Sequence, residues 1–144
     1  MKENGKILAI VERGRGKGNF SCFSTEEIAK CLPVGYGKTA REAMEDIKKS
    51  VEEFKEMKAE EGEEFPEVEF SYRFDVGAFF DFYPIDVTAF ARYAGINASV
   101  LRQYATALRQ PKQDALNKIH EGINRLSKDL GADLLITQPV TSYV

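Results

Sequence analysis

Apolar and polar positions along the chain change period several times, and each change marks a new element. Lys6 to Glu12, KILAIVE, is an aliphatic and β-branched run that reads as a buried strand. Gly14-Arg15-Gly16-Lys17-Gly18 interrupts it. Asn19 to Phe23, with Phe20 and Phe23 separated by smaller residues, then reads as a second strand across a hairpin. Thr25 to Lys30 is expected to form a short turn of helix or an irregular loop. Leu32 to Tyr36, broken by Pro33 and Gly35, suits a third strand at a sheet edge. From Thr39 the period becomes helical: Thr39-Ala-Arg-Glu42 is a capping box, and Ala43, Met44, Ile47, Val51 and Phe54 follow on one face. KAEEGEEFPE ends that helix, and Glu67 to Tyr72 alternates, with Val68, Phe70 and Tyr72 on one side. The order strand, strand, strand, helix, strand predicts a small α+β layer.

The remainder is helical in period. Within Phe74 to Tyr83, Phe79, Phe80 and Tyr83 have helical spacing, and Pro84 stops the pattern. Val87, Phe90, Ala91 and Ala94 make the next apolar face, with Thr88, Arg92 and Tyr93 off it. Gly95 supplies the left-handed residue at a helix end, Ile96 turns the chain inward, and Asn97 caps a new helix beginning at Ala98. Its stripe is Leu101, Tyr104, Ala105 and Leu108, and its opposite ridge is Ser99, Arg102, Gln103 and Thr106. A long helix is expected from Lys112 to about Leu130, with Ala115, Leu116, Ile119, Ile123, Leu126 and Leu130 as its apolar face. Asp133 to Thr137, DLLIT, is a short strand candidate that pairs across a two-fold axis or returns to a sheet edge. The expected class is therefore α+β: a βββαβ domain over residues 1–73, then an all-α bundle with a short C-terminal strand over residues 74–144.

Length and composition admit this division. The chain has 144 residues, 43% of them hydrophobic, enough for one ordinary domain or two small ones. No apolar run approaches the ~20 residues of a membrane span. The start, MKENGKILAIVERGRG, has no long apolar segment, so a cytoplasmic location is expected. Cys22 and Cys31 have neither disulfide-framework nor zinc-knuckle spacing and read as buried or half-buried thiols. The net charge of −3 hides a segregation: Val51 to Phe70 carries −7, and Arg92 to Lys128 carries +5. A basic module thus lies behind a neutral average.

Candidate chemistry is sparse. The glycine-rich loop runs into another strand-like segment rather than a helix N-terminus, so it reads as a hairpin with Arg13, Arg15 and Lys17 as a secondary basic patch. Metal-assisted nuclease chemistry needs several converging carboxylates. The interior of the first strand has none, Glu12 lies at its end, and Glu42 and Glu45 serve as a cap and a solvated face. His120 is the only histidine and lacks ligating companions. No catalytic residue, metal or cofactor is expected. The aromatic run at residues 74–83 reads as core between modules rather than a base-stacking platform. The polar ridge on the Ala98 helix is different, because its side chains are able to hydrogen-bond base edges and phosphates.

The Ala91, Gly95, Ile96, Leu101 spacing resembles the helix-turn-helix of the Cro/lambda-repressor-like family. That resemblance implies DNA contacts from Ala98, Ser99, Arg102 and Gln103 toward the major groove, with Asn97 at the helix start and Thr106 and Arg109 near the backbone. Ala107 departs from it, standing where many members end the helix with glycine. The first half, through NFSCF and GYGKTAREAMEDIKKSVEEF with Gly37, Thr39, Glu42 and Ala43, resembles the HicB antitoxin family, although STEEIAKCLPVGY departs from that family's Pro-Asp-Leu-Pro-Gly-Cys loop. Together the resemblances imply a partial RNase H-like N-terminal domain that sterically neutralises a small basic HicA-like mRNA-cleaving toxin. They also imply a helix-turn-helix domain that binds operator DNA and represses its own operon. The implied assembly is a homodimer, with a tetramer as the alternative. Competing readings are a stand-alone DNA-binding regulator and a dimeric protein-interaction adaptor without a toxin partner.

Overall fold

The aliphatic run that begins at Lys6 becomes the strand around which a mixed sheet assembles. The computed structural model describes residues 2–3, 5–16 and 18–140. A two-residue strand β1 (Lys2–Glu3) precedes β2 (Lys6–Arg13), which pairs antiparallel with β3 (Phe20–Ser24), Val11 opposite Cys22. Its other side pairs parallel with β5 (Phe70–Phe74), Ala9 opposite Tyr72. Strand β4 (Val34–Gly37) lies outside β3, so the longer strands run β5-β2-β3-β4. The parallel pair needs a crossover, and helix α1 (Ala40–Glu60) is part of it. One face of the sheet, with Ala9, Val11, Phe20 and Cys22, receives Ala40, Ala43 and Ile47 of α1, all buried. Burying a side chain the size of Ile47 is worth about 1.5–3 kcal/mol.

Helix α1 begins as its sequence implies, with one change of partner. The Thr39 hydroxyl accepts the Glu42 N–H at 3.1 Å, but the Glu42 carboxylate accepts from Lys38 N–H, also at 3.1 Å, rather than from Thr39. Strand β5 starts at Phe70 rather than Glu67 and continues to Phe74, because β2 offers ladder partners only from Ile7 opposite Phe70 to Val11 opposite Phe74. Residues 25–30 form no helix. Ile28 and Cys31 bridge each other across Ala29 and Lys30, whose φ values of +51° and +66° make a tight reversal.

Three helices and a connecting one follow. Helix α2 (Val76–Phe82) is shared between two cores, with Ala78 and Phe82 against the sheet and Val76 and Phe80 in the helical half. Asp75 caps it by accepting the Ala78 N–H at 2.9 Å, and Asp81 accepts the Ala40 N–H at 2.9 Å, tying α2 to the start of α1. Phe82 stacks on Phe74 at 5.2 Å, and Phe79, Phe80 and Phe90 continue the aromatic contact into the second core. There α3 (Val87–Ala94), α4 (Ala98–Ala105) and α5 (Gln113–Leu130) pack around Val76, Phe90, Ala91, Leu101 and Ile119.

Three expectations about this half need correction. Leu108 is exposed, since α4 ends at Ala105 and Ala107, at φ +60°, turns inward in its place. Leu116 and Leu130 on α5 are exposed rather than part of a covered stripe. The return of Asp133 to Thr137 to a sheet edge of its own chain does not occur, since the segment pairs with no strand among the described residues. No helix among the described residues is long and apolar enough to cross a membrane.

Candidate nucleic-acid interface

The pair α3 and α4 is set by three local devices. Asp86 accepts the Ala89 N–H at 2.8 Å and Asn97 accepts the Val100 N–H at 3.0 Å, so each helix has a side-chain cap at its start. Between them Gly95 sits at φ +70°, and Ile96 N–H reaches back to Ala91 O at 2.8 Å. A Cβ at that left-handed position costs roughly 1–2 kcal/mol, which explains the residue type. Leu101, fully buried, holds α4 from behind.

Ser99, Arg102 and Thr106 therefore share one exposed ridge of α4, with Asn97 exposed at its start and Arg109 exposed beyond its end. Ala98 and Gln103 are half-buried at the margins of that ridge. Arg102 is partly organised, because its Nη1 donates to Thr88 Oγ1 of α3 at 3.1 Å. This link crosses the turn between residues 14 apart, and no helical spacing announces it. Thr106 is less free than its exposure suggests, since its hydroxyl is engaged with Arg102 O at 3.0 Å and Gln103 O at 3.3 Å. The left-handed Ala107 resolves where Arg109 lies. Leu108 and Arg109 both donate their N–H groups to Gln103 O, and the Arg109 guanidinium stands 6.0 Å from the Tyr104 ring centroid.

From Val87 to Gln113 the chain has no acidic residue and four cations: Arg92, Arg102, Arg109 and Lys112, all exposed. The positive end of the α4 dipole adds to that field. Arg125 is a structural cation instead, donating to Tyr93 O and lying 4.3 Å over the Tyr93 ring, which seats α5 on α3. Arrangements of this kind bind anionic backbones through Arg and Lys and read base edges through Ser, Gln and Arg.

The secondary patch on the hairpin does not form as expected. Arg13 is half-buried: its Nη1 donates to Ala105 O at 3.0 Å and its guanidinium lies 5.1 Å from the Phe20 ring centroid. It joins the sheet to the end of α4. Arg15 is exposed, and Lys17 lies outside the described residues. Asp75 completes this joint, accepting the Arg13 N–H at 3.1 and 3.2 Å. Burial raises the Asp75 carboxyl above its ordinary range, and the hydrogen bonds from Ala78 and Arg13 and the nearby Arg13 charge oppose that shift. Gly77 is pinched at the same place, since a Cβ there would meet Arg13 Cβ at 2.8 Å and Ala105 O at 3.2 Å.

Elsewhere the chemistry is structural. Burial pushes the Cys22 thiol up to about 12, so it packs as a small neutral side chain, and Cys31 is also buried. Lys55 pairs with Glu52 and Glu67, and Lys58 with Glu63. Glu53, Glu56, Glu60, Glu61, Glu64 and Glu69 stand exposed along the acidic stretch. Among the described residues no three His, Cys, Asp or Glu side chains cluster as metal ligands would. The chain matches no family model, no curated protein and no solved structure.

Proposed function

We propose that this chain is a HicB-like antitoxin and transcriptional autoregulator, with α3, the Gly95 turn and α4 acting as a helix-turn-helix on operator DNA. The observation that carries the DNA reading is the Ser99, Arg102, Thr106 ridge: exposed, within a stretch from Val87 to Gln113 that has no acidic residue, and backed by the buried Leu101. Ser99, Arg102 and Gln103 address base edges, while Arg109 and the helix N-terminus at Asn97 and Ala98 address phosphates. The mixed sheet with α1 is the RNase H-like part in this reading. Its exposed glutamates between Glu53 and Glu69 complement a small basic toxin that cleaves mRNA. Neutralisation is steric and asks no chemistry of this chain.

Duplexes selected from a randomised pool, with the DNA upstream of the chain's own reading frame as a second probe, test the first half of this reading. Binding should fall steeply as salt rises. Arg102→Ala and Gln103→Ala should each cost about 1–3 kcal/mol and relax base preference. Recovery of no salt-sensitive duplex, or full affinity in both variants, overturns it. Co-expression with an adjacent small basic reading frame tests the second half, with complex formation and relief of growth arrest as the expected result.

A further inference from the structure

The sheet has two edges, and they are treated differently. At the β4 edge the Asp46 carboxylate of α1 accepts the Tyr36 N–H at 2.9 Å, so an outward donor is already used. At the β5 edge, Ile7 donates to Glu69 O and Asp75 donates to Val11 O, both at 3.0 Å. Odd-numbered residues of this segment thus face β2, and by alternation Phe70, Tyr72 and Phe74 turn their backbone groups outward. Among the described residues no hydrogen-bond partner meets those outward groups. Beside this open edge lies a cleft of about 720 Å³, walled by Phe79 of α2, Tyr83 just beyond its end, Tyr104, and Leu116 and Ile123 of α5.

The same chain carries a segment with the matching chemistry. Leu134, Leu135 and Ile136 are 75%, 81% and 56% exposed, three consecutive large apolar side chains without a seat. Within one chain these side chains leave the cleft unfilled. To enter it, the segment would have to double back beside α5, whose Ile123 wall lies about 10 Å behind Leu130 along the helix axis. The end of α5 is held in place, with Tyr93 Oη donating to Asp129 Oδ2 at 2.6 Å.

We propose that residues 133–137 of a second copy add as a strand to the open edge of β5, with Leu135 turned into the aromatic cleft and Leu134 and Ile136 on the strand's other face. Reciprocal exchange about a two-fold axis then closes both clefts in one dimer. This claim concerns self-association alone and stands or falls separately from what α4 binds.

Photo-crosslinking with isotope mixing tests it. A light-isotope chain with benzoylphenylalanine replacing Leu135 is mixed with an otherwise unaltered heavy-isotope chain, exchanged and irradiated. Light–heavy adducts on peptides spanning residues 70–83 or 113–123 are expected. Adducts confined to the light chain, adducts elsewhere, or none overturn the proposal. By sedimentation equilibrium, Leu135→Asp and Leu116→Glu should each raise the dimer dissociation constant at least about tenfold with the helical circular dichroism unchanged. A wild-type chain that stays monomeric, or variants that dimerise as the wild type does, would equally defeat it.

Discussion

Helix α1 lays Ala40, Ala43, Ile47 and Val51 against a sheet and buries all four, whereas α5 buries Ile119 and Gly122, covers Leu116 only in part and leaves Leu130 in solvent. Both helices are long and amphipathic, 21 and 18 residues respectively. The difference lies in what they meet. A multi-stranded sheet offers a surface wide enough to cover the apolar stripe of α1, while α3, at eight residues, is about 12 Å long against about 27 Å for α5. An apolar stripe states which side of a helix would be buried. The partner's dimensions decide how much of it is.

The largest test of this contrast compares equivalent truncations. Ile47→Ala in α1 should cost about 2–5 kcal/mol of stability. Leu130→Ala in α5 should stay within about 0.5 kcal/mol when unfolding is followed in urea at concentrations too low for self-association. Equal costs would erase the distinction between a covered and an uncovered helix.

A middle-sized effect should sharpen it at the joint between the halves. Gly77→Ala forces a methyl against Arg13 and Ala105 O and should destabilise by about 1–3 kcal/mol. Amide exchange should show protection falling first in α3 and α4, with β2 and α1 affected less. Uniform loss across both halves would mean that the joint is not the boundary between them.

The smallest effect is electrostatic. Burial holds the Asp75 carboxyl above its ordinary value of 3.8, so between that value and the raised one the folded chain binds the proton more tightly than the unfolded chain. This group's contribution is therefore most favourable at acid pH and declines as pH rises through that window. Asn at position 75 retains a capping oxygen for Ala78 and does not titrate. Asp75→Asn should accordingly flatten that portion of the profile of melting temperature against pH. An unchanged slope in the variant would remove Asp75 as its source.

Much of the candidate surface was legible beforehand because its determinants are local. Gly95, Asn97 and the spacing of Leu101 and Ala105 lie within a few residues of the helix ends and faces they specify, and the exposed ridge follows from them. Arg13 was not legible. Nothing within the hairpin shows that its guanidinium reaches Ala105 O, 92 positions away. The same holds for Arg125, which the charge pattern groups with the exposed cations but which the fold uses to fasten α5 to α3.

By itself the sequence determined the order of the elements between Lys6 and Leu130, the Thr39 and Asn97 caps, and most of the apolar side of each helix, since these depend on neighbours one to four residues apart. Tertiary structure alone decided that β5 would begin at Phe70, where β2 first offers a ladder partner. It also decided that α2 would serve two cores, that Leu116 would be covered only in part and that Leu130 would stay in solvent. These outcomes depend on how far a distant surface extends, and local spacing holds no record of that length.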